Sequence, residues 1–381
     1  MNISQKLQTK LHLRIENNSL RSLNQNQQWI DFSSNDYLGF AQSEEIFDKT
    51  HEYLISKNIK HNGSTGSRLL SGNHALYKTL EAQLARNHKA SAALVYNSGY
   101  DANLGLLSCI PQRTDIILFD KLSHASIRDG MQLSNAKLIG FEHNDLTQLE
   151  QKLIKIRQQK QFLNEIYVVT ESVFSMDGDS PDLITMANMC SQYDAKIIVD
   201  EAHALGVFGL GMVQKLDLQD KVFARVMTFG KALGCHGACV LGSNTLKQYL
   251  LNYSRPFIYT TALPPHSLAT ILMAYNSLST DIEKQLADKI KYFKNICRQL
   301  KLSHYFIKSD SSIQSCVISK NERVKSIAEY LQSNNYDVKA ILSPSVAIGQ
   351  ERLRFCIHNF NKNSEIKQVL NRLNQALIKY G

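Results

Sequence analysis

The 381-residue chain is 43% hydrophobic and 20% charged, a globular balance that argues against disorder and suggests one large domain plus a smaller one. Its 43 basic and 34 acidic residues give a net charge of +9. That charge is spread along the chain rather than blocked into arms, which favours phosphate-bearing small molecules or an acidic carrier over nucleic acid. The seven cysteines are scattered, odd in number and without a C-x-x-C pair, so neither a zinc site nor a disulfide framework is indicated, and a reducing cytosol fits best.

Residues 1–30 read as an amphipathic helix followed by a polar turn. Leu7, Leu11 and Ile15 fall on one face and Arg14 and Arg21 stand off it, as in an arm that docks on the body or on a partner subunit. Residues 1–6 carry no apolar signal core, and no run approaches the ~20 apolar residues of a membrane helix. A cytoplasmic protein without a membrane segment is expected. The stretch Asp31–Gly39 reads as a short strand entering a turn of side-chain hydrogen bonders. Asn35 is a candidate substrate contact there, although such residues more often serve the turn alone. Residues 61–74 are rich in Gly and Ser, a loop that lets backbone approach a ligand. No Gly-Lys-Ser/Thr follows, so it is not a Walker motif. Leu76, Leu80 and Leu84 then have helical spacing.

Candidate strands at 92–96, 115–119, 137–141, 166–170, 196–200, 225–229 and 238–241 are mostly separated by helical stretches. This pattern argues for a doubly wound, mostly parallel sheet, in which ligands bind beyond the carboxyl ends of the strands. Asn97-Ser98-Gly99-Tyr100 follows the first of them and opens a helix, whose backbone N–H groups suit a phosphate; a plain strand-to-helix turn is the alternative. His124 follows the second strand and is placed to stack on a flat cofactor or to shuttle a proton, although a lone histidine is more often structural. Thr170–Asp179, with Ser175, follows the 166–170 strand. Val199-Asp200-Glu201-Ala202-His203 puts an acid and a histidine three residues apart at the end of another apolar run. Lys231 sits in the Gly-bearing turn Thr228–Gly234 between two apolar runs.

A turn lysine is, by itself, an ordinary residue. A lysine that attacks a carbonyl needs partial desolvation, which disfavours its charged form and frees the amine for a Schiff base. An aspartate beside such a lysine is how a protein holds pyridoxal phosphate, because the carboxylate keeps the pyridine nitrogen protonated and the ring electron-accepting. Each feature has a bland reading alone. One acid, two histidines, a phosphate turn and a turn lysine at the strand ends of one sheet converge on this chemistry, with no metal. The expected division is an amino-terminal arm at 1–45, a large cofactor-binding domain at 46–265 and a small α/β domain at 266–381. In the last, Lys284, Lys289, Lys291, Lys294 and Arg298 line a helix at 282–300. A solvated face is the better reading of these charges, and docking of coenzyme A or an acidic carrier the sharper one.

The chain resembles the α-oxoamine synthases, pyridoxal-phosphate enzymes of the aspartate-aminotransferase fold type I. The resemblance runs over nearly its whole length, through Phe32–Gly39, Leu122–Ser126, Val173–Asp179, Asp200-Glu201-Ala202-His203, Thr228-Phe229-Gly230-Lys231, Tyr259–Pro265 and Arg352-Leu353-Arg354. It implies a large domain with a mostly parallel seven-stranded sheet and a smaller carboxy-terminal α/β domain. It implies that Lys231 carries the cofactor, Asp200 pairs with the pyridine nitrogen, His203 bonds the ring hydroxyl, His124 stacks on the ring and Ser175 lies beside it. The amides of Gly99 and Tyr100, with Thr228, would hold the phosphate, joined by Thr260 or Thr261 from the other subunit of a homodimer. Arg354 would bind the amino-acid carboxylate as a bidentate fork, and Arg21 and Ser345 match positions that touch the acyl substrate.

The reaction implied is a decarboxylative condensation of L-alanine with a pimeloyl thioester of coenzyme A or acyl carrier protein. Glycine-using members commonly carry Gly-Gly before an aromatic residue after the lysine motif. This chain has Gly237-Ala238-Cys239, which leans towards alanine. Departures from the family pattern at Cys235–Cys239 and at Cys356-Ile357-His358 bear on the shape of the acyl pocket and leave the cofactor logic intact. The alternatives are members that use glycine or serine with other acyl donors, or an idle homologue acting as a binding subunit. Retention of Lys231, Asp200 and His203 argues against the idle homologue.

Overall fold

The computed structural model describes residues 3–17, 19–20, 23, 28–158 and 164–380. The chain opens with helix α1 (Gln5–Glu16) and strand β1 (Ile30–Asp31), followed by α2 (Glu44–Ser56) and α3 (Ala75–Asn87). Strands and helices then alternate: β2 (Ala92–Tyr96), α4 (Gly99–Cys109), β3 (Ile116–Asp120), α5 (Ala125–Leu133), β4 (Lys137–Phe141), α6 (Leu146–Arg157), β5 (Ile166–Glu171), α7 (Leu183–Gln192) and β6 (Lys196–Asp200). The short α8 (Met212–Lys215) precedes β7 (Val222–Thr228) and β8 (Ala238–Gly242). Four helices follow, α9 (Asn244–Tyr253), α10 (Arg255–Ile258), α11 (Pro265–Ser277) and α12 (Thr280–Gln299). The last elements are β9 (Ile313–Val317), α13 (Asn321–Ser333), β10 (Tyr336–Asp337), β11 (Lys339–Ile341), β12 (Arg352–Cys356) and α14 (Asn363–Lys379).

Seven strands form one sheet in the order β2-β8-β7-β6-β5-β3-β4, parallel except at β8, which runs antiparallel to both its neighbours. The expected mostly parallel sheet is therefore present, and its strands are the expected ones with ends moved by up to three residues. Central strand β5, and even edge strand β2, are buried along their whole length, as near-continuous apolar runs covered on both faces must be. Alternation decides which face each residue serves. Ala93 and Val95 join Leu76, Leu80 and Leu84 of α3 and Leu268 and Leu272 of α11. Leu94 and Tyr96 face the other way, towards Leu106 of α4 and Ile127 of α5. Several helices begin on a side-chain cap that satisfies an orphan N–H: Ser98 accepts from Asp101, Asp145 from Gln148 and Asp182 from Thr185.

The chain divides into two compact units. One comprises Asn35–Ser175 and Asp179–Leu286, and the other Met1–Ser34, Met176–Gly178 and Ala287–Gly381. These limits differ from 45 and 265, and packing gives the reason. Helix α11 lies against α2 and α3, so residues beyond 265 stay with the large sheet. At the other end, β1 pairs with β10, and Phe32 packs against Tyr336 and Phe355, which ties the segment before Asn35 to the carboxy-terminal unit. That unit carries the antiparallel sheet β11-β12-β9, with α13 packed on α14. Helix α1 forms where the apolar spacing places it, yet none of its described residues is buried: Leu7, Leu11 and Ile15 stay about half exposed. No helix among the described residues is long and apolar enough to cross a membrane.

Leu80 is fully buried between α3 and the sheet. Its replacement by Ala should destabilise the protein by about 2–5 kcal/mol through lost burial and a residual cavity, read as a lowered urea midpoint with an unchanged slope.

Candidate active site

Six of the seven strands point the same way, so their polar carboxyl ends gather along one edge of the sheet. Lys231 lies in the nine-residue loop that joins β7 to antiparallel β8. The loop is closed by Phe229 N–H to Gly237 O (2.9 Å), Cys235 N–H to Phe229 O (2.8 Å) and Gly234 N–H to Lys231 O (2.8 Å). Gly234 holds a positive φ of 60°, and a Cβ there would stand 2.1 Å from the Ala41 nitrogen. Only glycine fits this close backbone approach, which fixes the direction of the lysine loop.

From that loop Lys231 Nζ reaches His203 Nε2 at 2.7 Å, and His203 Nδ1 meets Tyr37 Oη at 2.7 Å. Tyr37 in turn donates to Asn35 Oδ1 at 3.0 Å. The Tyr37 hydroxyl gives its proton to Asn35, so its oxygen takes the His203 Nδ1–H, which leaves Nε2 of the neutral ring as the acceptor for Lys231 Nζ.

Asp200 closes β6 and is buried. Its Oδ1 accepts from Ala202 N–H at 2.9 Å, and its Oδ2 accepts from Asn103 Nδ2 at 2.7 Å. The same Asn103 amide donates to Ser126 Oγ at 3.1 Å. Ser126 bonds His124 Nδ1 through its hydroxyl at 2.8 Å and its backbone N–H at 3.2 Å. A backbone N–H must donate, so Nδ1 is an acceptor and the neutral ring carries its proton on Nε2. Burial, opposed by the Asp200 charge and helped by the Lys231 charge, pushes the His124 pKa below its usual value. The His124 backbone N–H donates to buried Glu171 Oε1 at 2.7 Å. Burial first, and then the nearby Asp200 charge, lift the Glu171 carboxyl to about 8, against the pull of Lys231 and of that N–H.

Gly99 opens α4 beside the end of β7. A Cβ at Gly99 would sit 3.3 Å from the Thr228 Cβ and 3.4 Å from its Oγ1, so the helix start and the threonine hydroxyl form a close cradle that a side chain would crowd. Tyr100 supplies the next amide, while its ring is partly exposed and its hydroxyl donates to Asp129. Asn97 Nδ2 donates to Thr260 Oγ1 (3.1 Å) and Thr261 O (2.8 Å), so both threonines of this chain stand beside the same turn. Ser175 lies half-buried in the loop after β5. An open helix start, a lysine, a buried acid and a histidine with a fixed tautomer are the donor set that pyridoxal phosphate requires, and the residues fit it.

The large unit thus carries Lys231, His203, Asn35, Asp200, His124, Gly99, Tyr100, Thr228, Thr260 and Thr261 at the sheet's carboxyl edge, with Ser175 in the loop after β5 of the same unit. Arg354 is half-buried on β12 and Ser345 is exposed in the turn before it, both in the other unit. Within that unit Arg352 is occupied by a buried ion pair with Asp177. Arg21 lies outside the described residues. Sequence reasoning gave no role to Tyr37, Asn103, Ser126 or Glu171. A buried asparagine amid the apolar residues of α4 and an acid ending the apolar run of β5 were the signals available.

Between pH 4.5 and about 8 the folded protein keeps a proton on Glu171 that the unfolded chain has released. The contribution of this group to stability therefore falls as pH rises through that window. Glu171→Gln retains an oxygen for the His124 N–H but has no such titration. Urea unfolding of the cofactor-free protein should show the variant gaining on the wild type as pH is raised from 4.5 to 8. A difference independent of pH would contradict the assignment.

A sequence profile of the family Aminotransferase class I and II matches residues 27–373. An 8-amino-7-oxononanoate synthase from Emericella nidulans is 38% identical over 366 residues, covering 90% of this chain and 87% of the relative. The solved structure of 8-amino-7-oxononanoate synthase from Francisella tularensis superposes with a TM-score of 0.77 at 28% identity, covering 93% of this chain and 99% of that one. A structure of SPT with PLP superposes with a TM-score of 0.88 at 25% identity, covering 99% and 98%. The chain therefore belongs to the class I and II aminotransferase family, among the relatives named 8-amino-7-oxononanoate synthase.

Proposed function

We propose that the chain is a pyridoxal-phosphate-dependent acyltransferase of biotin biosynthesis. It condenses L-alanine with the pimeloyl thioester of coenzyme A or acyl carrier protein, releasing carbon dioxide and the free thiol carrier and forming 8-amino-7-oxononanoate. The observation that carries this reading is the 2.7 Å contact of Lys231 Nζ with His203 Nε2, in a strand-end pocket that also holds Asp200 and His124. The name shared by the relatives supports the choice of product.

Pyridoxal phosphate, when bound, supplies an electron sink for the carbanion formed next to the alanine nitrogen. Lys231 would hold it covalently through Nζ, Asp200 at the ring nitrogen and His203 at the ring hydroxyl, with His124 and Ser175 beside the ring. The amides of Gly99 and Tyr100 and the hydroxyl of Thr228 would take the phosphate. Thr260 and Thr261 of a second copy would complete that site in a cytoplasmic homodimer. Arg354 would grip the alanine carboxylate, and Asn35, Arg21 and Ser345 would line the substrates' path.

The alanine amine would displace Lys231 Nζ from the cofactor, and the freed lysine would then act as the base. Its amine would remove the α-proton and later return a proton to the product, at a nitrogen that His203 Nε2 reaches at 2.7 Å. His124, its pKa lowered by burial and its Nδ1 held by the Ser126 N–H, would lay its flat face on the ring. Of the acids beside these groups, Asp200 is held by Asn103, and Glu171 by the His124 N–H.

Lys231→Ala should lose the visible absorbance of lysine-linked cofactor and turnover together. Retention of that absorbance would place the attachment elsewhere.

For the product, the purified protein should be offered alanine, glycine or serine, each with pimeloyl, acetyl, succinyl and palmitoyl thioesters. Alanine with the pimeloyl thioester should give the highest kcat/KM. Some glycine turnover is expected as well, because one methyl group discriminates by only ~1–3 kcal/mol. Preference for glycine with a short acyl donor would move the chain to a different activity within the family.

A further inference from the structure

His143 takes no part in the chemistry above, yet it joins two of the loops that build the site. It follows β4 and precedes α6. Its Nδ1 lies 3.0 and 3.1 Å from the two oxygens of Asp120, the last residue of β3, and its Nε2 lies 2.9 Å from Asp179 Oδ2, beyond the loop that follows β5. Asn144 repeats the bridge, with its N–H on Asp120 Oδ2 at 2.8 Å and its Nδ2 on Asp179 Oδ2 at 2.9 Å. The edge of the His143 ring also packs against Phe174, with centroids 4.4 Å apart.

The two carboxylates govern different loops. Asp120 Oδ1 accepts from Leu122 N–H at 2.8 Å and shapes the turn that delivers His124. Asp179 O accepts from Phe174 N–H at 3.0 Å and closes the loop that contains Ser175. Ionised carboxylates only accept, so a ring that bonds a carboxylate through each nitrogen donates from both as an imidazolium; Asn144 Nδ2, 3.2 Å from Nε2, is then a second donor to the same Asp179 Oδ2. Burial opposes that charge, but the bonds and charges of Asp120 and Asp179 outweigh it and raise the pKa to about 10. The nearby Lys121–Glu142 pair is solvent-exposed and satisfies its own charges.

We propose that His143 is a positioning residue: one ring, bridging Asp120 and Asp179, fixes the spacing between the loop that carries His124 and the loop that carries Ser175. This inference rests on the roles given to those two residues under the proposed function. A neutral imidazole donates from only one nitrogen, and a Gln amide carries both its protons on one nitrogen and cannot span the two carboxylates as the ring does; a gap opened between the loops would tilt the face that His124 presents.

The test uses the full-length protein with His143→Gln and Asp179→Asn, singly and combined. Hydrogen exchange is followed in the cofactor-free protein, and visible circular dichroism, kcat and the alanine KM after loading with pyridoxal phosphate. In His143→Gln, residues 120–126 and 172–179 should both exchange about tenfold faster while β6 keeps its protection. The lysine-linked absorbance should persist with a weakened visible dichroism, and kcat should fall about ten- to a hundredfold with a smaller change in alanine KM. The double variant should lose less than the sum of the two single changes, since both act on the His143–Asp179 bond. Unchanged exchange in either loop with unchanged dichroism, or strictly additive losses, would overturn the proposal. If His143→Gln fails to fold, Asp179→Asn decides on the same readouts, because it keeps the main-chain closure to Phe174. If the wild type itself forms no lysine-linked chromophore, the proposed function fails, and the exchange of the two loops still decides the role of His143.

Discussion

The site depends on keeping a lysine amine within hydrogen-bond reach of a buried histidine while two carboxylates lie buried close by. In such surroundings charges interact far more strongly than in water, and each unsatisfied polar atom is costly. The protein meets this by giving the charged groups defined partners. Lys231 meets His203, Asp200 is held by Asn103 and by the Ala202 N–H, and Glu171 takes the His124 N–H. Burial raises the Glu171 pKa, so the strand end can accommodate a second acid beside Asp200 without two full negative charges.

Two directional hydrogen-bond chains follow from that requirement. One runs from Lys231 through His203 and Tyr37 to Asn35 and settles the tautomer of His203. The other runs from Asp200 through Asn103 and Ser126 to His124 and settles the tautomer of that ring. Asn103 lies between Asp200 and the Ser126–His124 pair because α4 packs across the sheet on the side of α5. A side chain with two amide protons serves both acceptors from one position, which a hydroxyl could not do.

A further buried polar layer lies under the same strand ends. Glu201 is fully buried, accepts from Val213 N–H at 2.9 Å, and would meet a Cβ at Gly211 at 2.6 Å. Burial, offset by the Val213 N–H and the Arg225 charge, lifts its carboxyl to about 7. Arg225 in turn donates to His88 O at 2.5 Å, and His88 Nε2 bonds Tyr275 Oη at 3.0 Å. Glu201 Oε2, Arg225 Nη1 and His88 Nδ1 are nonetheless buried without a hydrogen-bond partner among the described residues, so this polar layer is only partly satisfied.

The sequence by itself determined the strand positions and the residues at their carboxyl ends, because near-continuous apolar runs and the turns after them are local properties. Lys231, Asp200, His203, His124 and Gly99 were legible in this way, as was the helix of Leu76, Leu80 and Leu84. Only the tertiary structure decided what each of them touches. Tyr37 and Asn103 are distant in the chain from the groups they bond, so no local pattern gave them their roles. The spacing of Leu7, Leu11 and Ile15 announced a helix but not whether its face would be covered, since burial depends on neighbours brought in from elsewhere. The unit limits moved for the same reason, as α11 follows the large sheet and Phe32 follows β12. Helical or strand character is written in the nearest residues, whereas proximity, tautomer and ionisation are properties of the assembled pocket.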